Sequence, residues 1–389
     1  MMRVRPMTEL LKRPAFLSLA LSAVLAAVAV AASMLFIYAS GISPGTAFRT
    51  YVQGAFGTWT QTAGTVSQAV PLTMVALAWI VVFRGGRLQI GFPGQITVGG
   101  IAAAAIVLNV HVAGGVALAL AVAGAALAGA LYAGIAAGMF VRWRANEILS
   151  TLLLNLIAVQ LVDWLVNGPM QQSGGGLAQT GAFPPNSIWP TFLGQPTLHW
   201  DVVLIPIVLL IVGTMLKSTD FGLRLRLTGA NPVAARYAGI PVVRVGVIAM
   251  LISGALAGLA GSSLVLASDN SAMASGFEAG FGFEGIVVAL LARNSPLGAV
   301  ASALYFSALG QGNSLVQAEL GVPSALLYIT QSIVILVLLG STAILDRLRL
   351  SRGALTVVPS GDVEALSGAS EERLIAAASP LSTFPREDS

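Results

Sequence analysis

Residues 62–87 read TAGTVSQAVPLTMVALAWIVVFRGGR. No side chain from Thr62 to Phe83 is charged, and the run ends at Arg84 and Arg87. A helix rises about 1.5 Å per residue, so a bilayer core near 30 Å takes about 20 apolar residues to cross. This run therefore reads as a transmembrane helix with a basic end in the headgroup layer. Similar runs lie at 15–38, 94–112, 114–140, 147–166, 201–216, 245–267, 281–293, 296–312 and 324–345. Together they predict an all-α integral membrane protein of about ten transmembrane helices. Composition agrees: of 389 residues, 56% are hydrophobic and 9% charged, and mean hydropathy is +0.85. A soluble domain carries about 25% charged residues. At 9%, charge cannot cover a water-facing surface, and lipid must take the place of water around most of the chain.

Placement of charge sets the expected topology. With the N-terminus in the cytoplasm, 19 of the 20 Lys and Arg residues fall inside, and Arg49 alone falls outside. Both termini are then cytoplasmic. The basic pI arises at the ends of apolar runs, which removes nucleic acid as a partner. Residues 1–14 form a cytoplasmic N-terminal segment, 15–345 the transmembrane domain, and 346–389 a polar cytoplasmic tail, read as disordered with a short helix near Glu371–Ala378. Residues 167–200 form an outside loop without Lys or Arg; 217–244 form a basic inside loop with helical signals of its own. Ala29-Val30-Ala31 resembles a cleavage site, but a run of about 24 residues exceeds the 7–15 of a signal-peptide core, so the segment reads as a retained span.

Several chemistries are excluded. There is no Cys, and His occurs only at 111 and 199, so thiolate and His-cluster metal sites are absent from the sequence. Gly41-Ile42-Ser43-Pro44-Gly45 matches a nucleophile elbow in spelling only, because the elbow needs a strand before it; a helix-ending turn is the reading here. Gly280-Phe281-Gly282-Phe283-Glu284-Gly285 matches a dinucleotide fingerprint, but opens an apolar run rather than following a strand. No phosphate-binding loop of the G-x-x-x-x-G-K-[ST] type occurs, so any ATP that powers the protein is hydrolysed by another polypeptide.

Two features carry function. In the inside loop, Gly229-Ala230-Asn231-Pro232-Val233-Ala234-Ala235-Arg236-Tyr237 has the layout of a short helix, with Asn231 as N-cap, Pro232 at its first position, and Gly239 and Pro241 to end it. Such a helix either docks in a groove of a partner protein or lies on the lipid surface through Arg224, Arg226 and Arg236. The second feature is an echo between halves: Ile90-Gly91-Phe92-Pro93-Gly94-Gln95 and Phe281-Gly282-Phe283-Glu284-Gly285-Ile286 each begin an apolar run with a Gly-Phe-x-Gly interruption. Paired Gly/Pro-interrupted segments point to a transporter's midplane site; the competing reading is Gly-mediated helix packing, as in Gly254-xxx-Gly258 and Gly134-xxx-Gly138. Counted from the nearest basic residue, Glu284, Asn155, Thr73, Gln95 and Ser253 all sit about 12–16 Å deep. Thr73 and Ser253 read as helix–helix hydrogen-bonders; Glu284 and Asn155 read as facing a polar cavity.

Leu88–Gln95, Asn146–Asn155, Gly229–Ile240 and Gly282–Leu297 occur in this order, and the arrangement resembles the inner-membrane permease subunits of bacterial ABC importers for nucleosides and simple sugars, nearest to the nucleoside branch. The resemblance covers roughly residues 62–340, and Asn231–Ile240 is its most specific part. It implies an ABC importer permease that pairs with a second homologous permease or a second copy of itself. It further implies two ATPase subunits carrying Mg-ATP and a substrate-binding lipoprotein on the outer face, with no cofactor in this chain. The loop helix then becomes the coupling element, carried by Gly229, Asn231, Pro232, Ala234, Ala235, Arg236 and Tyr237. The family usually has Asn and Glu where this chain has Gln89 and Pro93, which leaves Phe92 and Gln95 as the residues to follow there.

The resulting expectation is a non-enzymatic permease of the bacterial inner membrane that passes a nucleoside. Phe92, Phe281 and Phe283 are the candidate stacking faces, and Gln95, Asn155 and Glu284 the candidate hydrogen-bonding groups of the pathway. The alternatives are a pentose or hexose permease, and a proton- or sodium-coupled carrier using Glu284.

Overall fold

The computed structural model describes residues 43–329 apart from 111, 173, 175–176, 193–194 and 269–271, together with 38, 332, 333 and 336. All of these fall in one compact unit, residues 23–339. The N-terminal segment 1–14, the expected span 15–38 other than Tyr38, and the tail 346–389 with its expected short helix lie outside the described residues. Of the expected span 324–345, residues 324–329 and three further positions are described.

The continuous described part begins with α1 (Pro44–Phe56), whose N-cap is Ser43; its hydroxyl accepts from the Thr46 amide at 3.2 Å. The Ser of the elbow-like motif thus caps a helix; residues 39–42, where the expected helix end would fall, lie outside the described residues. There follow α2 (Trp59–Arg84), α3 (Phe92–Asn109), α4 (Gly114–Trp143) and α5 (Glu147–Val166). A short antiparallel pair, β1 (Thr191–Phe192) and β2 (Gln195–His199), leads into α6 (Leu204–Ser218). The chain continues with α7 (Asp220–Ala230), α8 (Pro232–Tyr237), α9 (Val242–Leu266), α10 (Phe281–Leu291) and α11 (Pro296–Leu320).

Among the described residues, six helices are long and apolar enough to cross a membrane: α2 to α5, α6 with the turn before it, and α9. Two expected spans differ. Helix α10 has 11 residues, about 16 Å, which is half a bilayer core; the expected run 281–293 goes only two residues further, into the turn at Ala292-Arg293-Asn294 that ends it. Helix α11 has 25 residues and is long enough, but Gln311, Asn313, Ser314 and Gln317 make its second half polar.

Helix α2 is apolar all round from Ala69 to Val82, and it is buried all round. Helices α6, α9, α10 and α11 pack against it. Helix α9 in turn packs on α3 and α4. In lipid no hydrophobic drive holds helices together, so close backbone approach matters more. A Cβ on Gly258 would lie 2.1 Å from the Ala125 carbonyl oxygen, so only glycine lets α9 and α4 come this close. Leu127, Leu131, Leu156 and Leu210, on α4, α5 and α6, lie more than 60% exposed on the outside of the bundle.

The loop expected at 167–200 is tied down rather than free. Trp189 N–H donates to the Leu266 carbonyl at 3.0 Å, and Thr180 N–H to that of Met273 at 2.9 Å. Phe183 and Leu198 are buried beneath it. This loop therefore rides on the end of α9.

Candidate functional site

The two Gly-Phe-x-Gly stretches, 91–94 and 282–285, both fall at helix starts. Helix α3 starts at Phe92 after N-cap Gly91, and α10 starts at Phe281 after N-cap Gly280, whose φ of +87° favours glycine. The two starts abut: a Cβ on Gly282 would lie 2.5 Å from the Pro93 nitrogen. Two helix N-termini thus meet inside the bundle. The first amides of a helix have no intrahelical acceptor and need partners. The Glu278 carboxylate accepts from the amides of Gly280 (3.2 Å) and Gly282 (2.7 Å). Its charge also complements the positive end of α10.

At α3 the partners come from one face of α5. Asn155 Oδ1 accepts from the Gly94 amide and its Nδ2 donates to the Ile90 carbonyl, each at 2.9 Å. Thr151 Oγ1 accepts from the Ile90 amide at 3.3 Å, and Glu147 pairs with Arg87. Glu147, Thr151 and Asn155 are four residues apart and so stand one above another. The stretches Leu88–Gln95 and Asn146–Asn155 are therefore each other's partners. Arg87 also lies over the Phe140 ring, 4.0 Å from its centre. Both side chains of the ion pair are only 12% exposed. Removing one partner of a buried pair strands the other charge, at a cost of about 3–5 kcal/mol, whereas replacing both by apolar groups is nearly neutral. Arg87→Met should therefore destabilise more than Arg87→Met with Glu147→Leu, measured as thermal unfolding in detergent; equal losses would show that packing on Phe140, not charge, sets the role of Arg87.

The six expected pathway residues separate into groups. Phe92 is fully buried with its ring edge-on to Trp79, 6.3 Å between centres. Gln95 is buried, and its Oε1 has no partner among the described residues. Asn155 spends both ends of its amide on the backbone. Thr73 and Ser253 are also fully buried, and Ser253 donates to the Met250 carbonyl at 3.0 Å. Phe281 and Glu284 line cavities, and Phe283 is 48% exposed.

The cavities lie along a polar seam between α2 on one side and the end of α9, the start of α10 and α11 on the other. The larger, about 480 Å³, is walled by Gln61, Ser67, Gln68, Ser263, Gln311 and Phe281. The smaller, about 200 Å³, takes in Glu284, Asn313, Gln317 and Tyr328 and shares Gln68 and Phe281 with the first. Gln68 and Phe281 therefore stand between the two. Pro71 lines the larger cavity, and lacking an N–H it leaves the Ser67 carbonyl without its helical donor. The sequence signal for this seam was the helical spacing of Gln61, Gly64, Gln68 and Pro71, and of Gln311, Ser314 and Gln317; attention to mid-depth residues alone passed over it.

At the basic end of α2, helices α7 and α8 form the loop expected from its capping signals. Asn231 Oδ1 accepts from the amides of Val233 and Ala234, each at 3.0 Å, and Gly239 has φ +78°. Val233 is 63% and Tyr237 88% exposed. Ala235, expected on the outer face, is 4% exposed, because a six-residue helix resting on α7 and α9 must bury one stripe. Gly229 also serves the inside: a Cβ there would lie 2.2 Å from the Arg84 carbonyl oxygen. Arg84 Nη2 donates to the Asn294 carbonyl at 3.1 Å. The end of α7, the end of α2 and the turn between α10 and α11 are thus joined.

Residues 61–339 match the family described as branched-chain amino acid transport system / permease component. A glucose ABC transporter permease protein of Haloferax volcanii is 34% identical, over 70% of this chain and 74% of its own length. A guanosine ABC transporter permease protein of Bacillus subtilis is 32% identical over 81% of this chain and 91% of its own. A nucleoside ABC transporter permease protein of Lactococcus lactis is 26% identical over 70% and 78%. No solved structure matches the chain.

Proposed function

From the premise that this chain belongs to the permease-component family, and is a multi-pass ABC importer permease rather than an enzyme, we propose that it forms the passage for a nucleoside. The observation that carries this reading is the polar seam. Its larger cavity, about 480 Å³, falls within the 300–1,000 Å³ of small-molecule sites. Phe281 offers an aromatic face to a base, and the carboxamides of Gln68 and Gln311 offer both donors and acceptors to its edge. Ser67 suits a ribose hydroxyl, and Ser263, whose own hydroxyl donates to Asp201, has only its acceptor side to offer. Phe92, Gln95 and Asn155 support the passage from behind by holding the start of α3, while Glu284 and Phe281 face it.

The partners follow from the family: ATPase subunits that use ATP, a substrate-binding protein, and a second permease or a second copy of this chain. Substrate is delivered at the end of the bundle where the 167–203 loop rides on α9. The basic end faces the cytoplasm of the bacterial inner membrane, with both termini there, since 19 of 20 basic residues then lie inside. The exposed side of α8 meets the ATPase through Pro232, Val233, Ala234, Arg236 and Tyr237. Gly229 and Arg84 relay its movement to α2, whose other end carries Gln61 and Gln68. A 26-residue helix about 39 Å long makes one rod from coupling loop to cavity.

A sugar is the second reading, favoured by the 34% identity to the Haloferax glucose permease. In proteoliposomes holding the complete importer, labelled guanosine or adenosine should accumulate only with hydrolysable ATP, and excess glucose should not compete. Uptake of glucose with no nucleoside uptake would replace the nucleoside by a sugar. Uptake driven by a proton or sodium gradient without ATPase subunits would overturn the importer reading altogether.

A further inference from the structure

We propose that the groove between α4 and the start of α9 is a binding site for an anionic phospholipid. The groove, about 800 Å³, is lined by Gly138 and Val141 of α4 and by Val247 and Leu251 of α9, with Arg236 and Arg244 in its wall. Its shape has a local cause. At Gly134 a Cβ would lie 3.1 Å from Leu251 Cδ2, so the helices touch there; at Gly138 nothing lies within 4 Å. The pair expected as one small-residue packing motif is used at its first glycine and opens at its second.

The position of Gly138 says what fills the space. Leu127, Leu131, Ile135 and Val141 are exposed and apolar, and with Gly138 they follow each other at steps of four and three along one face of α4. That face belongs to the acyl-chain layer, and the groove is its recess. Charge selects the headgroup. Arg236 and Arg244 are exposed and form no ion pair among the described residues; Asp220, the acidic residue of this loop, pairs with Arg224 at 2.8 Å. Guanidinium groups bind phosphate with paired hydrogen bonds, and basic pockets between helices favour anionic headgroups over zwitterionic ones. Val233 and Tyr237, the exposed tip of α8, are not in the groove wall, so the site lies beside that tip and shares Arg236 with the surface assigned to the ATPase. A lipid seated there joins α8 to α9 through Arg236 and Arg244.

The test uses the complete importer in nanodiscs of phosphatidylcholine with a minor share of phosphatidylglycerol, with lipids retained after detergent extraction read by native mass spectrometry. Phosphatidylglycerol should be enriched by about fivefold for each guanidinium engaged. Arg244→Gln should cut the enrichment about fivefold. Gly138→Leu should abolish it by filling the recess, since a Cβ there meets no atom within 4 Å, and an unchanged melting temperature checks that the fold persists. Arg142→Gln, outside the groove wall, should leave it unchanged. Equal enrichment in wild type, Arg244→Gln and Gly138→Leu would overturn the site. So would an equal drop in Arg142→Gln, the mark of a diffuse basic surface, or retention in Gly138→Leu alone, the mark of a headgroup held without a seated chain. Lipid that binds the permease alone but leaves when the ATPase is added would assign the groove to that partner and overturn the proposal as well.

Discussion

Asn155→Leu should leave a protein that unfolds far more easily and does not transport. The side chain is 7% exposed, and both ends of its amide are engaged at 2.9 Å, one by the Gly94 amide and one by the Ile90 carbonyl. Leucine fills a similar volume but strands both groups away from water. Each orphaned buried group costs about 1–3 kcal/mol, so the pair costs about 2–6 kcal/mol. That is a large part of the margin of an ordinary protein, about 5–15 kcal/mol. Thr151→Val strands only the Ile90 amide and should cost about 1–3 kcal/mol. Thermal unfolding in detergent, followed by tryptophan fluorescence, ranks the two. If Asn155→Leu melts with wild type, the start of α3 is held by helix packing, and Asn155 returns to the list of residues free to meet a substrate.

Tyr237→Glu should release the ATPase subunits while the membrane domain stays folded. Tyr237 is 88% exposed at the end of α8, and a docked partner would bury it. An unpaired carboxylate in that interface costs about 2–5 kcal/mol, which weakens binding by more than tenfold. Copurification of tagged permease with ATPase reads this directly, and Val233→Glu should act in the same way. Ala235→Glu tests the opposite face. Its carboxylate would enter the packing between α8, α7 and α9, so the expected result is poor folding of the permease itself. Full ATPase binding by both Tyr237→Glu and Val233→Glu would move the docking surface away from α8. Normal folding of Ala235→Glu would show that the α8 face turned toward α7 and α9 tolerates charge.

Much of this protein was legible in one dimension because lipid imposes a simple rule. Each segment that crosses must satisfy its own backbone and present apolar side chains, so runs such as Thr62–Phe83 declare themselves. The capping helix at Asn231 was legible for a related reason: its signals are local, a side chain bonding amides two and three residues on. Short-range chemistry of this kind needs no knowledge of the fold.

Length and sidedness were not local. Helix α10 stops at Leu291 and the chain turns at Ala292-Arg293-Asn294, so the apolar run counted as a span holds an 11-residue helix. The methyl of Ala235 and the hydrogen of Gly229 look free to meet a partner until α7, α9 and the end of α2 are placed against them. Residues at equal depth were expected to share a cavity, yet depth along a helix says nothing about azimuth. Asn155 turned toward the backbone of α3, while Gln61, Gln68 and Gln311 turned toward one another across α2 and α11. The sequence by itself determined that the chain lives in a membrane, where most of its long helices run and where the short helix at Asn231 is capped, because those properties reside in single segments. Only the tertiary structure decided which polar groups brace a helix start and which wall a cavity, because that choice depends on which helix stands opposite.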